Sequence, residues 1–485
     1  MDEQKLADIA VIGLAVMGQN LILNMTDHGF KVVAFNRTVS KVDDFLNGPA
    51  KNSKVVPAHS IEEMVSLLEK PRRIMLMVKA GEAVDETIEH LLPHLDKGDI
   101  IIDGGNTLFS DTIRRLEYLK TKGILYIGTG ISGGEEGARH GPAIMPGGSF
   151  EAWQYVKDIF QAIAARGINN QPCCQWIGNG GVGHYVKMVH NGIEYGDMQL
   201  ISEAYLLLKA LGLSNQAMSD IFKDWNKGVL DSYLIEITAD ILAYKDSNNE
   251  YEIDQILDSA GQKGTGKWTV ISASELGQPA SVIAEALLAR FASALTSERQ
   301  AVARALGTTI NLKVADQHKF IKQIASALYC SKIISYTQGY MLLKAASKDY
   351  NWQIDYGSIA GIWTGGCIIR SRFLGDIQTA FKKNPDLENL LLDDFFNKAI
   401  KDNQQNWRQT VSIATLSGVA IPGLASALTF FDSIRNNRLG ANLIQAQRDY
   451  FGAHTYEKID KPRGQFFHTN WTGEGGNTTA TSYTA

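Results

Sequence analysis

What most limits the fold of this chain is a change of period near residue 180. Up to about residue 179, short apolar runs alternate with helical patterns; beyond it the runs stop and helical periodicity continues. Such alternation calls for a doubly wound parallel sheet, because parallel neighbours are joined by long, usually helical crossovers. The expected strands are residues 8–14, 31–35, 73–78, 99–103, 125–128 and 175–178. The first runs into Gly13-Leu14-Ala15-Val16-Met17-Gly18 and then a helix through Asn24 and Met25. A strand, a glycine turn and a helix in that order seat a pyrophosphate on the helix N-terminus. Ala15 replaces the usual middle glycine, so the repeated alternation carries the assignment more than the motif does.

The expected organisation is therefore an α/β Rossmann-like doubly wound domain over residues 1–179. A large all-α domain over residues 180–437 follows, and then an extended C-terminal tail over residues 438–485.

The end of the second strand selects the dinucleotide. An acidic residue there would bond a ribose hydroxyl, but the chain reads Asn36-Arg37-Thr38. A cation and a hydroxyl suit a 2′-phosphate, which points to NADP; the alternative is a surface arginine and NAD. Further loops fall at C-terminal strand ends, where such sheets bind ligands. They are Val78-Lys79-Ala80-Gly81, Asp103-Gly104-Gly105-Asn106 and, after the fifth strand, Ile131-Ser132-Gly133-Gly134. Backbone amides in the last can hold a carboxylate; each alone can also be a plain tight turn.

Helical periodicity after Gly178 places Lys187, His190, Asn191 and Glu194 at i, i+3, i+4 and i+7, on one face of a helix. A base, two orienting groups and an acid on one stripe can form an active-site wall. A solvated polar face is the competing reading, yet His and Asn are poor helix formers for such a role. Gly180, Gly181 and Gly183 precede or open the stripe and leave room for something to approach the backbone.

The helical region contains an internal repeat. Tyr205–Ala210 recurs as Tyr340–Ala345, and Ile221, Trp225 and Gly228 match Ile359, Trp363 and Gly366, so a duplicated helical unit is expected. Between the copies, glycines flank Lys263 and Thr265 in a segment without P-loop spacing, which favours donors converging on an anion such as phosphate. Arg290, on a helix beginning near Ser281, is a further candidate cation. The tail carries Arg448 and His454 among aromatics, then a Gly/Thr-rich end unable to form a core. Its aromatics need a partner surface, which points to another subunit.

Composition excludes other classes. The 485 residues are 45% hydrophobic and 20% charged, with a formal charge of −5, so no nucleic-acid footprint is present. No apolar run reaches the roughly 18 residues of a membrane span, and the acidic start Met1-Asp2-Glu3 does not read as a signal peptide. Cys173, Cys174, Cys330 and Cys367 lack metal-binding spacing and fit a reducing, cytoplasmic setting.

Taken together, the segments GLAVMGQN at 13–20, NRT at 36–38, ISGGEEGAR at 131–139, GHYVKMVHNGIEY at 183–195, LDSAGQKGTGKW at 257–268 and QAQRDYFGAHTYE at 445–457 resemble the decarboxylating 6-phosphogluconate dehydrogenase family. The resemblance covers nearly the whole chain, and the last two segments distinguish it from hydroxyisobutyrate-type relatives. Val182 and Ala143 depart from the family pattern of Ala and Ser. The resemblance implies oxidation and decarboxylation of 6-phosphogluconate to ribulose 5-phosphate with reduction of NADP, as in the pentose phosphate pathway, without a metal. It implies that Lys187 is the general base and then acid, and that Glu194 protonates the first carbon of the enediol. It places Ser132, Gly133, Gly134, His190 and Asn191 at the substrate carboxylate, with Asn106 also lining the cleft. It places Tyr195, Lys263, Thr265, Arg290 and Arg448 at the phosphate, with His454 alongside, and it implies a homodimer with shared sites. Another NADP-linked 3-hydroxy acid dehydrogenase and a catalytically silent NADP-binding protein stand as alternatives; the first has no use for a phosphate clamp, and the second none for Lys187 and Glu194.

Overall fold

A computed structural model of the chain describes residues 6–307, 310–475 and 478–480. Met1-Asp2-Glu3 and part of the Gly/Thr-rich end lie outside them. The chain divides into two compact units, residues 1–427 and 428–485.

In the first unit β1 (Ile9–Ile12), β2 (Val32–Phe35), β3 (Val56–Pro57), β4 (Arg73–Leu76), β5 (Ile100–Asp103), β6 (Leu125–Ser132) and β7 (Ala143–Gly148) form one sheet, in the order β3-β2-β1-β4-β5-β6-β7. The pairs are parallel except β6–β7, which is antiparallel. Successive side chains enter opposite cores: Ile9, Val11, Val32, Ala34 and Ile102 one, Ala10, Ile12, Val33, Phe35 and Ile101 the other. Burial on both faces is why these strands read as continuous apolar runs.

Two expectations for the sheet are corrected. Residues 175–178 are not a strand; Ile177 N–H donates to Pro146 at 2.9 Å and Gly148 N–H to Gly178 at 2.8 Å, outside any regular ladder. The edge strand is instead β7, whose Pro146-Gly147-Gly148 reads as a turn. An edge tolerates Pro, which has no N–H to give a second neighbour. A Cβ at Gly147 would lie 2.4 Å from Gly183 N, so this strand needs its glycine to let a helix approach. Ile131 and Ser132 belong to β6 rather than to the loop after it, and helix Gly134–His140 follows.

The remainder of the first unit is helical, and the repeat is visible in it. Helices Val182–Ala210, Asn215–Trp225 and Tyr233–Ala243 have counterparts in Gln317–Asp349, Tyr356–Ile362 and Leu374–Lys383. The matched Tyr205 and Tyr340 lie in the two long helices, which pack against each other. Their contact holds a buried ion pair, Lys332 Nζ to Asp197 Oδ2 at 2.6 Å. No helix among the described residues is long and apolar enough to cross a membrane.

In the second unit, helix Ala441–Gly452 precedes a hairpin of β8 (Tyr456–Glu457) and β9 (Phe466–Phe467). The buried Asp449 accepts from Thr469 N–H at 3.0 Å and Trp471 Nε1–H at 2.8 Å, and meets His468 Nδ1 at 2.9 Å. One carboxylate thus ties the last aromatic segment to the helix.

Candidate active site

Helix Val182–Ala210 builds the site because it can lie almost on the sheet. At Gly183 a Cβ would come within 2.5 Å of both Gly128 O and Met145 O; at Gly130 it would meet Lys187 Cβ at 2.3 Å. This corrects the reading of Gly183: its missing side chain admits the protein's own strands, not a ligand. The result is that Lys187 leaves the helix directly over the C-terminal half of β6.

The polar stripe is buried rather than solvated. Lys187 is 6% exposed, His190 0% and Asn191 8%, while the Glu194 side chain keeps 22%. His190 Nδ1 lies 3.4 Å from Lys187 Nζ, 3.1 Å from Asn191 Oδ1 and 3.8 Å from Glu194 Oε2. Its Nε2 lies 3.2 Å from Ser132 Oγ. The imidazole therefore sits at the centre of the other four groups. A small cavity beside them is lined by Asn106, Lys187, Asn191 and Thr265, together with Thr107, His184 and Trp268.

Burial sets the protonation of these groups. It holds Lys187 below the usual lysine range, with Glu194 pulling the other way. It holds Glu194 above the usual carboxylate range, opposed by Lys187 and Arg290. It pushes His190 well below the ordinary imidazole value, and the neighbouring Lys187 adds to that. Desolvation disfavours each charged form, so a lysine is shifted toward a base and a glutamate toward an acid.

Next to this stripe Arg290 Cζ lies 3.6 Å from the Tyr195 ring centroid, a stacked cation–π contact. Arg290 also donates to Gly261 O at 3.0 Å, tying its helix, Ser281–Ala294, to the glycine-rich loop. Thr265 is not in that loop; it opens helix Thr265–Glu275, with Gly264 as its left-handed cap. Lys263 stays exposed. Arg448 and His454 belong to the second unit.

The dinucleotide turn has an open helix end. Helix Val16–Asp27 starts at Ala15 with no side-chain cap and no acidic residue in its first turn. Its first N–H groups are thus available to an anion. At Gly13, φ +109°, an added Cβ would lie 2.4 Å from Met77 O, so the turn passes this strand end only with glycine there. Arg37 projects with its side chain 90% exposed, 4.0 Å from Glu86. Val78, Lys79 and Ala80 follow β4, facing the same end of the sheet. The Asn36 side chain is engaged within the protein: its Oδ1 accepts from Leu14 N–H at 3.1 Å and its Nδ2 donates to Thr38 O at 3.0 Å. It braces the turn from within.

Asp103, expected only as the first residue of a strand-end loop, has a role of its own. Its carboxylate accepts from Gly105 N–H at 3.1 Å, Thr107 Oγ1 at 2.8 Å and Tyr126 Oη at 3.0 Å, and so shapes the loop that carries Asn106. An Asp at a strand end before Gly-Gly, with Thr four residues on, is the signal that could have found it. His184 and Trp268 had no such signal.

A dinucleotide-type sheet opening on a buried lysine and a half-buried glutamate is the arrangement of a dinucleotide-dependent dehydrogenase. Comparison with known proteins gives the particular family. The NAD binding domain of 6-phosphogluconate dehydrogenase matches residues 8–178, and the 6-phosphogluconate dehydrogenase C-terminal domain matches residues 183–471. The human decarboxylating 6-phosphogluconate dehydrogenase is 60% identical over 481 residues, covering 99% of each chain. Its counterpart from Haemophilus influenzae is 58% identical over 477 residues, covering 98% of this chain and 99% of the relative. A solved structure of Plasmodium falciparum 6-phosphogluconate dehydrogenase, studied in its apo form, with NADP+ and with 6-phosphogluconate, has a TM-score of 0.92 at 47% identity, covering 96% of this chain and 100% of that one. The chain belongs to the 6-phosphogluconate dehydrogenase family.

Proposed function

We propose that the chain catalyses oxidative decarboxylation of 6-phosphogluconate to ribulose 5-phosphate and carbon dioxide, with NADP as oxidant. The observation that carries this reading is the buried stripe on which Lys187 is shifted toward a neutral base and Glu194 toward a neutral acid. NADP, when bound, accepts a hydride. The uncapped helix end after Gly13 suits its pyrophosphate, and Arg37 with Thr38 suits its 2′-phosphate.

Lys187 takes the proton from the hydroxyl on the third carbon as hydride leaves that carbon. It returns a proton to the new carbonyl oxygen as the bond to carbon dioxide breaks; Glu194 then protonates the first carbon of the enediol while Lys187 takes back the hydroxyl proton from the second, leaving the ketone. The carbonyl is the electron sink, so the residues present are sufficient. Ser132, Gly133, Gly134, His190 and Asn191 hold the carboxylate end. Tyr195, Lys263, Thr265 and Arg290 hold the phosphate end with Arg448 and His454. The working division is residues 1–179 for NADP, 180–437 for substrate and dimer contact, and 438–485 for the tail.

The tail's role is to complete the site of a second copy in a homodimer. Leu443, Ile444, Tyr450 and Phe451 are each more than 60% exposed in the second unit, which supports a partner surface. All four cysteines are free and buried, which supports a reducing compartment such as the cytoplasm.

Incubating the protein with NADP and 6-phosphogluconate tests the proposal through NADPH absorbance and release of ribulose 5-phosphate. Absence of both would overturn it, and equal turnover of unphosphorylated 3-hydroxy acids would favour the broader dehydrogenase reading. Arg37→Ala is expected to weaken NADP binding roughly tenfold or more while leaving NAD little changed, since only NADP carries the charged partner. Dissociation constants for the two cofactors check this; equal weakening would make Arg37 structural.

A further inference from the structure

The second unit contains a side chain that touches neither proposed ligand group through its own chemistry yet links both residues expected to bind there. Gln445 lies three residues before Arg448 on helix Ala441–Gly452, on the same face. Its Oε1 accepts from Arg448 Nη1 at 3.0 Å. Its Nε2 donates to His454 O at 3.0 Å and to Thr455 O at 2.5 Å. The amide orientation is dictated by its partners, because a guanidinium only donates and a carbonyl only accepts. One acceptor and both donors of the amide are thus committed inside the unit.

The segment it holds needs holding. Ala453, at φ 49°, and Thr455, at φ 34°, flank His454 in the left-handed region, where residues with a Cβ are strained. Gly452 lets the imidazole fold over the helix end; a Cβ there would sit 2.7 Å from the His454 ring. His454 Nδ1 is buried and has no hydrogen-bond partner among the described residues, so the ring is positioned by the turn and not by its own bonds. The Asp449 carboxylate secures a different segment, Thr469 to Trp471, and makes no bond to Arg448 or His454 among those described.

We propose that Gln445 is a positioning residue that binds the Arg448 guanidinium and the His454 turn into one preassembled phosphate-gripping arm. The inference rests on reading Arg448 as a phosphate-binding residue. Without the amide, the guanidinium regains rotamer freedom and the strained turn loses its two donors, so substrate binding must order both.

The test uses the full-length enzyme with Gln445→Leu, Arg448→Ala and the double variant. Gln445→Leu is expected to raise KM for 6-phosphogluconate roughly tenfold, with kcat and KM for NADP within about twofold of the parent. Its kcat/KM for unphosphorylated gluconate should not change, because that substrate has no phosphate to grip. In the double variant KM should be no higher than in Arg448→Ala alone, since a residue acting through Arg448 has nothing left to position. Gln445→Glu, which keeps the guanidinium's acceptor and loses both donors, replaces the leucine variant should that one not fold, and the same non-additivity is required of it. Additive losses, an equal loss with gluconate, or an unchanged KM would overturn the role of Gln445. A normal KM in Arg448→Ala would overturn the phosphate reading of Arg448 itself, and the positioning role with it.

Discussion

Lys187→Ala is expected to lower turnover of 6-phosphogluconate by about 10²–10⁴-fold or more while leaving NADP affinity unchanged. The lysine stem crosses Gly130 closely, and its amine stands 3.4 Å from His190, with the residue only 6% exposed. No other group on the stripe can replace it as base: Glu194 is shifted toward its protonated form, and His190, although neutral, keeps both ring nitrogens engaged with Asn191 and Ser132. Removing the amine also removes a cation that opposes the upward shift of Glu194. Glu194→Ala should fail differently. It should still oxidise substrate, so a single-turnover measurement should show NADPH forming while ribulose 5-phosphate release stalls. The pair of measurements, cofactor affinity by titration and the two products by rapid quench, separates the roles. A Lys187→Ala enzyme with near-normal turnover would end this mechanism.

The second large effect is a restoration. A Lys187→Ala chain should be nearly inactive with 6-phosphogluconate, an Arg448→Ala chain nearly so at substrate well below its raised KM, and mixing them at that substrate level should return activity. If the tail acts in trans, one site of each mixed dimer collects both defects, and the other has an intact lysine and receives an intact arginine. Two-fold symmetry requires this reciprocity. Each mixed dimer then works at about half the parent rate, and random exchange of equal amounts returns about a quarter of it. The exposed Leu443, Ile444, Tyr450 and Phe451 of the second unit supply the apolar area such an exchange would bury. If the tail serves its own chain, each site keeps one defect and mixing restores nothing. Subunit exchange is followed independently by differently tagged chains, so an inactive mixture that has exchanged assigns Arg448 to its own subunit.

How far the sequence alone reached can be judged from particular residues. Period is a local property, so the parallel strands β1, β2, β4, β5 and the start of β6, the glycine turn at Gly13 and the long helix bearing Lys187 were legible, whereas the two-residue edge strand Val56–Pro57 is too short to show a period. The spacing of Lys187, His190, Asn191 and Glu194 put them on one face whatever packed against it. Burial of that face was not legible, because it depends on distant segments: β6 and β7 lie against the helix only since Gly130, Gly147 and Gly183 lack side chains. The same limit hid β7, whose Pro146-Gly147-Gly148 has turn chemistry and becomes a strand only as an edge. The partners of Asp103 and Gln445 are near in the chain, at Thr107 and His454, but which donor and acceptor meet depends on how the loop and the turn between them fold. Residue types and their spacing were set along the chain. Which of them lose water, and therefore which way their proton affinities shift, was decided by what the tertiary fold laid over them, since desolvation belongs to the packed neighbourhood and not to any one residue.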